Sequence, residues 1–302
     1  MAEPVLVVGS TGLDTIETAT DTAKDVIGGS CVYFAAAASI LAPVRLVGVV
    51  GDDFPAEGRA ALERHNIDLE GLEVVEGGKT FRWGGRYSED MNSRETLFTE
   101  LGVLGDFKPK LPPAYRTTPY VFLANGPTAT QHAVLDAMEE KAFVAADTMN
   151  LWIDTERDEL MRLLGRIDLL ILNDEEARMI SGETSLWDAA QAITKKGPRA
   201  VVLKKGEHGA YLVSEGGRAA VPAYPIDTLV DPTGAGDSFA GAFMGHVAGA
   251  GSTGTDVLRA ALAVASVVAS FTCESFGPNR LLEMERAEVD ARLGELRELV
   301  RF

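Results

Sequence analysis

Asp231-Pro232-Thr233-Gly234-Ala235-Gly236-Asp237-Ser238-Phe239 joins a turn of small residues to an acid and then to a helical pattern. Gly234 and Gly236 carry no side chain, so a ligand can approach the main chain and successive N–H groups can converge on one anion. Phe239, Ala240, Ala242, Phe243 and Val247 follow at spacings that predict a buried helix, whose N-terminus adds partial positive charge at the same point. Asp237 is the discordant residue, because a carboxylate beside an anion hole costs electrostatic energy. Taking a proton from a hydroxyl that attacks a phosphate would justify it. The plainer alternative is an Asp that caps a helix.

Upstream of this run two patterns alternate. Short continuous apolar runs lie at Val5–Val8, Val44–Val50, Tyr120–Leu123, Phe143–Ala146, Leu169–Leu172 and Ala200–Leu203, which suits strands covered on both faces. Helical segments separate them, at residues 29–41, 56–65, 130–140, 156–164, 175–180 and 186–195. Repeated strand, helix and strand predict an α/β fold with a doubly wound, mostly parallel sheet flanked by helices. No linker, repeat or low-complexity tract divides residues 1–302, which read as one domain. From Leu72 to Thr99 the alternation breaks: Val74-Val75, Thr80-Phe81-Arg82-Trp83 and Arg86-Tyr87 are separated by Gly pairs, and antiparallel strands are expected.

The run from Asp231 to Asp237 resembles the C-terminal signature of the ribokinase-like, or phosphofructokinase-B type, carbohydrate kinases, Asp-Thr-x-Gly-Ala-Gly-Asp, with Pro232 in place of the usual Thr. Gly48-Val49-Val50-Gly51-Asp52-Asp53-Phe54 with Gly58 resembles the N-terminal signature of the same family, and the two occur in the family's order across most of the chain. The resemblance implies phosphoryl transfer from ATP with Mg²⁺, Asp237 as the base and the N–H groups of Gly234, Ala235 and Gly236 around the developing charge. It implies a small β-sheet lid formed by about 11–28 and 72–100, with an edge hairpin of the main sheet as the alternative for the second segment. Related lids pair across a two-fold axis, so a homodimer is expected.

Other site residues follow from the same resemblance. Asp14, after the first strand, would bind substrate hydroxyls, and Gly28-Gly29 would bring the backbone close to the sugar. Asn173 and Glu176 would lie near Mg²⁺ and the phosphates, Glu176 through water; sequence chemistry alone favours a capping box there. Gly206 and Gly209, with Lys204 or Lys205 where Thr is common, would line the nucleotide site, and Lys205 is taken as the candidate. Asp231 and Thr233 would border a monovalent-cation site, for K⁺. Ser30-Cys31-Val32-Tyr33 follows Gly29 where ribokinases have Lys and then Asn, so ribose itself is disfavoured and the acceptor is another sugar or a nucleoside, with a sugar phosphate as a further alternative. Phe81, Arg82, Trp83, Arg86 and Tyr87 could contact a base, contact a phosphate or pack.

The formal charge of −17, from 28 basic and 45 acidic residues, argues against nucleic acid as a partner. Cys31 and Cys273 are far apart and make no metal-like spacing. Apolar stretches near Ala35–Leu41 and Ala261–Phe271 suit core helices rather than a bilayer. With no signal-like start, a cytoplasmic location is expected. Gly78-Lys79-Thr80 ends like a P-loop, but Glu73 stands where its first Gly belongs.

Overall fold

The computed structural model describes residues 2–301. Its N-terminal half contains β1 (Val5–Val8), β2 (Gly12–Glu17), β3 (Thr22–Gly28), α1 (Ser30–Ser39), β4 (Val44–Gly51), α2 (Ala56–Glu63), β5 (Ile67–Val75), β6 (Phe81–Tyr87), β7 (Arg94–Glu100), β8 (Tyr120–Leu123), α3 (Thr128–Ala137) and β9 (Phe143–Ala146). Then follow α4 (Asn150–Thr155), α5 (Arg157–Leu164), β10 (Leu169–Asn173), α6 (Asp174–Ser181), α7 (Leu186–Thr194), β11 (Ala200–Lys204), β12 (Ala210–Ser214), β13 (Gly217–Val221), α8 (Ala235–Ala250), α9 (Thr255–Thr272), α10 (Asn279–Glu283) and α11 (Arg286–Leu299).

Nine strands form one sheet in the order β13-β12-β11-β10-β9-β8-β1-β4-β5. The seven from β11 to β5 are parallel, and β12 and β13 extend the sheet antiparallel. Alternation within each strand explains the unbroken apolar runs. Val5 and Val7 of β1 face a layer that holds α1, α8 and α9, whereas Leu6 and Val8 face the side of α3, α5, α6 and α7. The helix α9 is long and apolar enough by composition to cross a bilayer, but Leu258, Ala261, Ala265 and Val268 bury it in the first of these layers.

A second sheet of four strands, β3-β2-β6-β7, forms the lid. One expectation about it is corrected. The segment Leu72–Val75 does not belong to it, because β5 runs parallel to β4 from Val44↔Ile67 to Gly51↔Val75 and buries Ile67, Leu69 and Leu72 in the core. Within it β6 and β7 pair antiparallel, as expected, while β2 and β6 pair in parallel, Gly12 opposite Phe81 and Glu17 opposite Arg86. The Gly51-Asp52-Asp53 turn fastens its base. Thr80 Oγ1 accepts from the Gly51 N–H at 3.0 Å, and Asp53 accepts from the Thr80 N–H at 2.8 Å and pairs with Arg82 and Lys79.

Candidate active site

All seven parallel strands present their carboxyl ends to one edge of the sheet, where an open α/β sheet places its ligands. The residues that follow β1, β8, β9, β10 and β11 meet there beneath the lid, together with the first turn of α8. A cavity of about 550 Å³ opens between them, with Asp14 and Asp237 both on its wall.

The Asp231–Asp237 run builds one side. Asp231 is fully buried and receives the Thr233 N–H on Oδ1 at 2.8 Å, which closes a tight turn. Gly234 then adopts φ 77° as the N-cap of α8, and any Cβ there would overlap the ring of the buried Tyr33. Of the three N–H groups expected to surround an anion, that of Ala235 is already given to Pro232 O at 3.1 Å. Those of Gly234, Gly236 and Asp237 itself meet no acceptor among the described residues. The free donors therefore differ from the expected set in one member, Asp237 in place of Ala235, and lie at the start of a helix, where N–H groups lack intrahelical acceptors. Burial pushes the Asp237 carboxyl above its ordinary value, while Lys204 and Arg94 pull it back.

Asp14 stands on β2 and is 3% exposed. Its carboxylate fills the space where a Cβ of Gly28 would sit, so Gly28 makes room for Asp14 rather than for a ligand. Burial, then Asp231 and Asp237, raise the Asp14 carboxyl to about 7 against the pull of the Gly29 N–H. Gly29 is the N-cap of α1, and the adjoining Ser30 and Ser10 hydroxyls lie 3.0 Å apart.

Asn173 and Glu176 stand where β10 passes into α6. They form a capping box at 2.8 Å in each direction, and Glu176, 7% exposed, faces the same cluster of charge as Asp237, its carboxyl raised by burial and opposed by Lys204. Gly206 and Gly209 form the turn after β11, with Gly209 N–H donating to Gly206 O. Lys205 is displaced from its expected place: its Nζ lies 3.0 Å from Tyr211 Oη and 4.3 Å from the centre of that ring. Lys204 reaches the site instead, with Nζ 3.4 Å from Gly236 O. Side chains alternate along a strand, so one residue of register decides which lysine faces α8.

Asp147, Arg94, Asn125 and Gln131 were not singled out in the sequence. Asp147, 4% exposed, follows β9, and its Oδ1 has no partner; burial, then Asp237, push its carboxyl well up. An acid directly after a wholly apolar strand was the available signal. Arg94 begins β7 and places its guanidinium 5.3 Å from the Trp83 ring on the cavity wall. Asn125 and Gln131 line the core side, Asn125 accepting from Trp152 Nε1 at 2.9 Å and Gln131 donating to Leu123 O at 3.2 Å. The lid also touches the α8 turn, for Thr233 Oγ1 donates to Tyr87 Oη at 3.0 Å.

A family profile described as pfkB family carbohydrate kinase matches residues 7–283. The chain is 30% identical over 249 residues to the cytidine kinase of Thermococcus kodakarensis, covering 80% of this chain and 87% of that one. A ribokinase II of E. coli solved with ATP and Mg²⁺ superposes with a TM-score of 0.80 at 16% identity, over 97% of this chain and 99% of that one. The nucleoside kinase of Methanocaldococcus jannaschii does so with a TM-score of 0.77 at 21% identity, over 97% and 98%. At these identities the two structures share the fold with this chain.

Proposed function

The chain belongs to the pfkB family of carbohydrate kinases, and from that premise we propose that it moves the γ-phosphoryl group of ATP to a hydroxyl of a nucleoside. The observation that carries the reading is the Asp237 carboxylate set beside the free N–H groups of Gly234, Gly236 and Asp237 on the wall of a cavity that also holds Asp14.

In the mechanism, Asp14 accepts hydrogen bonds from acceptor hydroxyls and orients the reacting one toward Asp237. Ionised Asp237 takes the hydroxyl proton as the oxygen attacks the γ-phosphorus in line, the bond to the β–γ bridging oxygen breaks and ADP leaves. The unpaired N–H groups stabilise the charge on the transferring group. Closure of the lid over the cavity keeps water from competing as acceptor.

Mg²⁺ suits the oxygen donors that β10 presents. Among the described residues no three acidic, His or Cys groups form a cage, so the ion would rest on phosphates and water with Glu176 behind it. Bound there, it would offset phosphate charge. A monovalent cation such as K⁺ is supported by Asp231 Oδ2, which is buried without a partner beside Thr233, because a buried carboxylate oxygen calls for a cation or donor.

A nucleoside is preferred because the cavity continues from Asp14 past Phe81, Trp83, Phe107 and Trp152, an apolar and aromatic extension suited to a base. The relative named cytidine kinase supports the same class. A sugar phosphate is the second reading, favoured by Arg94, whose guanidinium lies 5.3 Å from the centre of the Trp83 ring on the cavity wall. The lid leaves β3 and β7 as open edges, with Phe98 and Leu101 exposed at the end of β7, which supports a homodimer through the lid. Free thiols at Cys31 and Cys273 fit a reducing cytoplasm.

ADP release measured with ATP over a panel of nucleosides, free pentoses and hexoses, and sugar phosphates tests the assignment. Turnover confined to nucleosides is the expected result; turnover with a sugar phosphate alone would overturn the acceptor class, and none with any acceptor would overturn the activity.

A further inference from the structure

Asn125 follows β8 and Trp152 lies in α4, and both line the cavity that holds Asp14 and Asp237. Trp152 Nε1 donates to Asn125 Oδ1 at 2.9 Å. An indole nitrogen can only donate, so the amide oxygen is committed to it and the amide nitrogen is turned to the other side. There its one acceptor among the described residues is Met149 Sδ at 3.2 Å, a weak thioether partner that leaves the second N–H unused. The pair is braced from both directions. Gln131 Nε2 donates to Leu123 O, Ala124 O and Asp147 O at 3.2, 3.3 and 3.3 Å, which fixes the strand ends that lead into Asn125 and Met149. Glu156, directly after α4, accepts the Thr128 N–H at 2.9 Å and ties the helix of Trp152 to α3. The other indole of the cavity, Trp83, gives its N–H to Thr96 Oγ1 at 3.4 Å. The two indoles therefore offer a ligand ring surface alone, and Asn125 offers it a hydrogen-bond donor.

We propose that Asn125 is a specificity-determining residue that reads the nucleobase as a donor only, with Trp152 as the positioning residue that locks its amide. The inference rests on the nucleoside reading of this cavity and adds to it which edge of the base is accepted. A free amide can turn over and serve a donor or an acceptor equally, whereas one held by an indole N–H cannot turn without stranding that N–H beside its nitrogen. The site then takes a base through a carbonyl oxygen or an unprotonated ring nitrogen and rejects one that presents a hydrogen at the same place. Cytidine and uridine differ in this respect, as do adenosine and inosine. Within each pair an amino group beside an unprotonated ring nitrogen is exchanged for a carbonyl beside a ring N–H, so the order of donor and acceptor along the edge is inverted. A donor held in one place must choose between the members of a pair.

The test measures kcat and KM for these four nucleosides, and KM for ATP, in the wild type and in Trp152→Phe, Asn125→Ala and Asn125→Asp. The wild type should prefer one member of at least one pair by about 10-fold or more in kcat/KM. Trp152→Phe keeps the ring and removes only the N–H, so the amide is released: the preference within that pair should fall to about 3-fold or less while KM for the favoured nucleoside changes less than about 3-fold. Asn125→Ala should raise KM for the favoured nucleoside about 10-fold, and Asn125→Asp, which sets an acceptor against an acceptor, about 100-fold, with kcat and the ATP KM little changed. Should the aspartate variant not fold, the phenylalanine and alanine variants carry the same reading. A wild type that is indifferent within both pairs would overturn the proposal, as would a preference that survives in Trp152→Phe. An equal loss for all four nucleosides together with a raised ATP KM would mark Trp152 and Asn125 as merely structural and overturn it as well. Turnover of nucleosides with preferences insensitive to these variants sinks the donor lock alone; turnover of sugar phosphates and of no nucleoside sinks the nucleoside reading, and the donor lock with it.

Discussion

Gly234 and Gly236 look equivalent in sequence, and the structure separates them. Gly234 lies at φ 77°, and a Cβ added there overlaps the ring of Tyr33, which is 1% exposed and cannot swing away. Alanine in the left-handed region costs about 1–2 kcal/mol, and forcing apart a packed buried ring adds about 1–3 kcal/mol, so Gly234→Ala should lose about 2–5 kcal/mol. For a chain of this length that is a fall in Tm on the order of 5–10 °C. Gly236 lies within α8 and its added Cβ meets only the tip of Lys204, while helix propensity favours alanine by up to about 0.5–1 kcal/mol. Gly236→Ala should therefore melt at or slightly above the wild type, yet lose turnover about 10-fold or more, because the ammonium is pushed off the α8 turn. Calorimetric melting and kcat on the same preparations check both variants. A Gly234→Ala protein melting within about 1 °C of the wild type, or a Gly236→Ala protein as unstable as Gly234→Ala, would refute the reasoning.

Asp237→Asn should lower kcat about 10²- to 10⁴-fold with ATP binding largely retained, and near-normal turnover would remove Asp237 as the base. Asp14 has a folded pKa of about 7, above its ordinary 3.8, so the stability of the ligand-free protein is lost as pH rises from about 4 to about 7, where the folded state must give up a proton it holds more tightly than the unfolded chain. Asp14→Asn should then raise Tm at pH 8 and raise it less at pH 5, while weakening the acceptor; melting curves at the two pH values check the sign, and a constant gap between variant and wild type contradicts it. Trp83→Ala should raise the acceptor KM more than the ATP KM, because Trp83 lines the cavity beside Arg94 and Phe81; steady-state kinetics with each substrate varied would show the reverse if the lid served the nucleotide.

The positions of the core strands along the chain and their burial on both faces were open to sequence reasoning, because each depends on periodicity within a short window. Val5–Val8 and Leu169–Leu172 announce two-sided burial wherever they are placed, and Asp231–Asp237 announces a glycine turn that leads into a buried helix. Failures came where a residue's meaning depends on a partner far along the chain. The edge strand β5 was partly assigned to the lid, because Leu72–Val75 alternate like a hairpin strand until β4 is seen to pair with them in parallel. Gly28 read as an approach for substrate, whereas the Asp14 carboxylate occupies its missing side chain from the neighbouring strand. Lys204 and Lys205 are adjacent and chemically alike, and only the pleat of β11 against α8 sends one to Gly236 O and the other to Tyr211 Oη. Asp147 carries only the slight signal of an acid directly after an apolar strand and Arg94 carries none, because burial and charge belong to the assembled space: the one takes its environment from the ends of three strands and α8, the other from the lid folding back over the core. Sequence specifies which chemical groups exist and how each segment curls; the tertiary structure decides which of them share low-dielectric space, and in that space their charges act on one another.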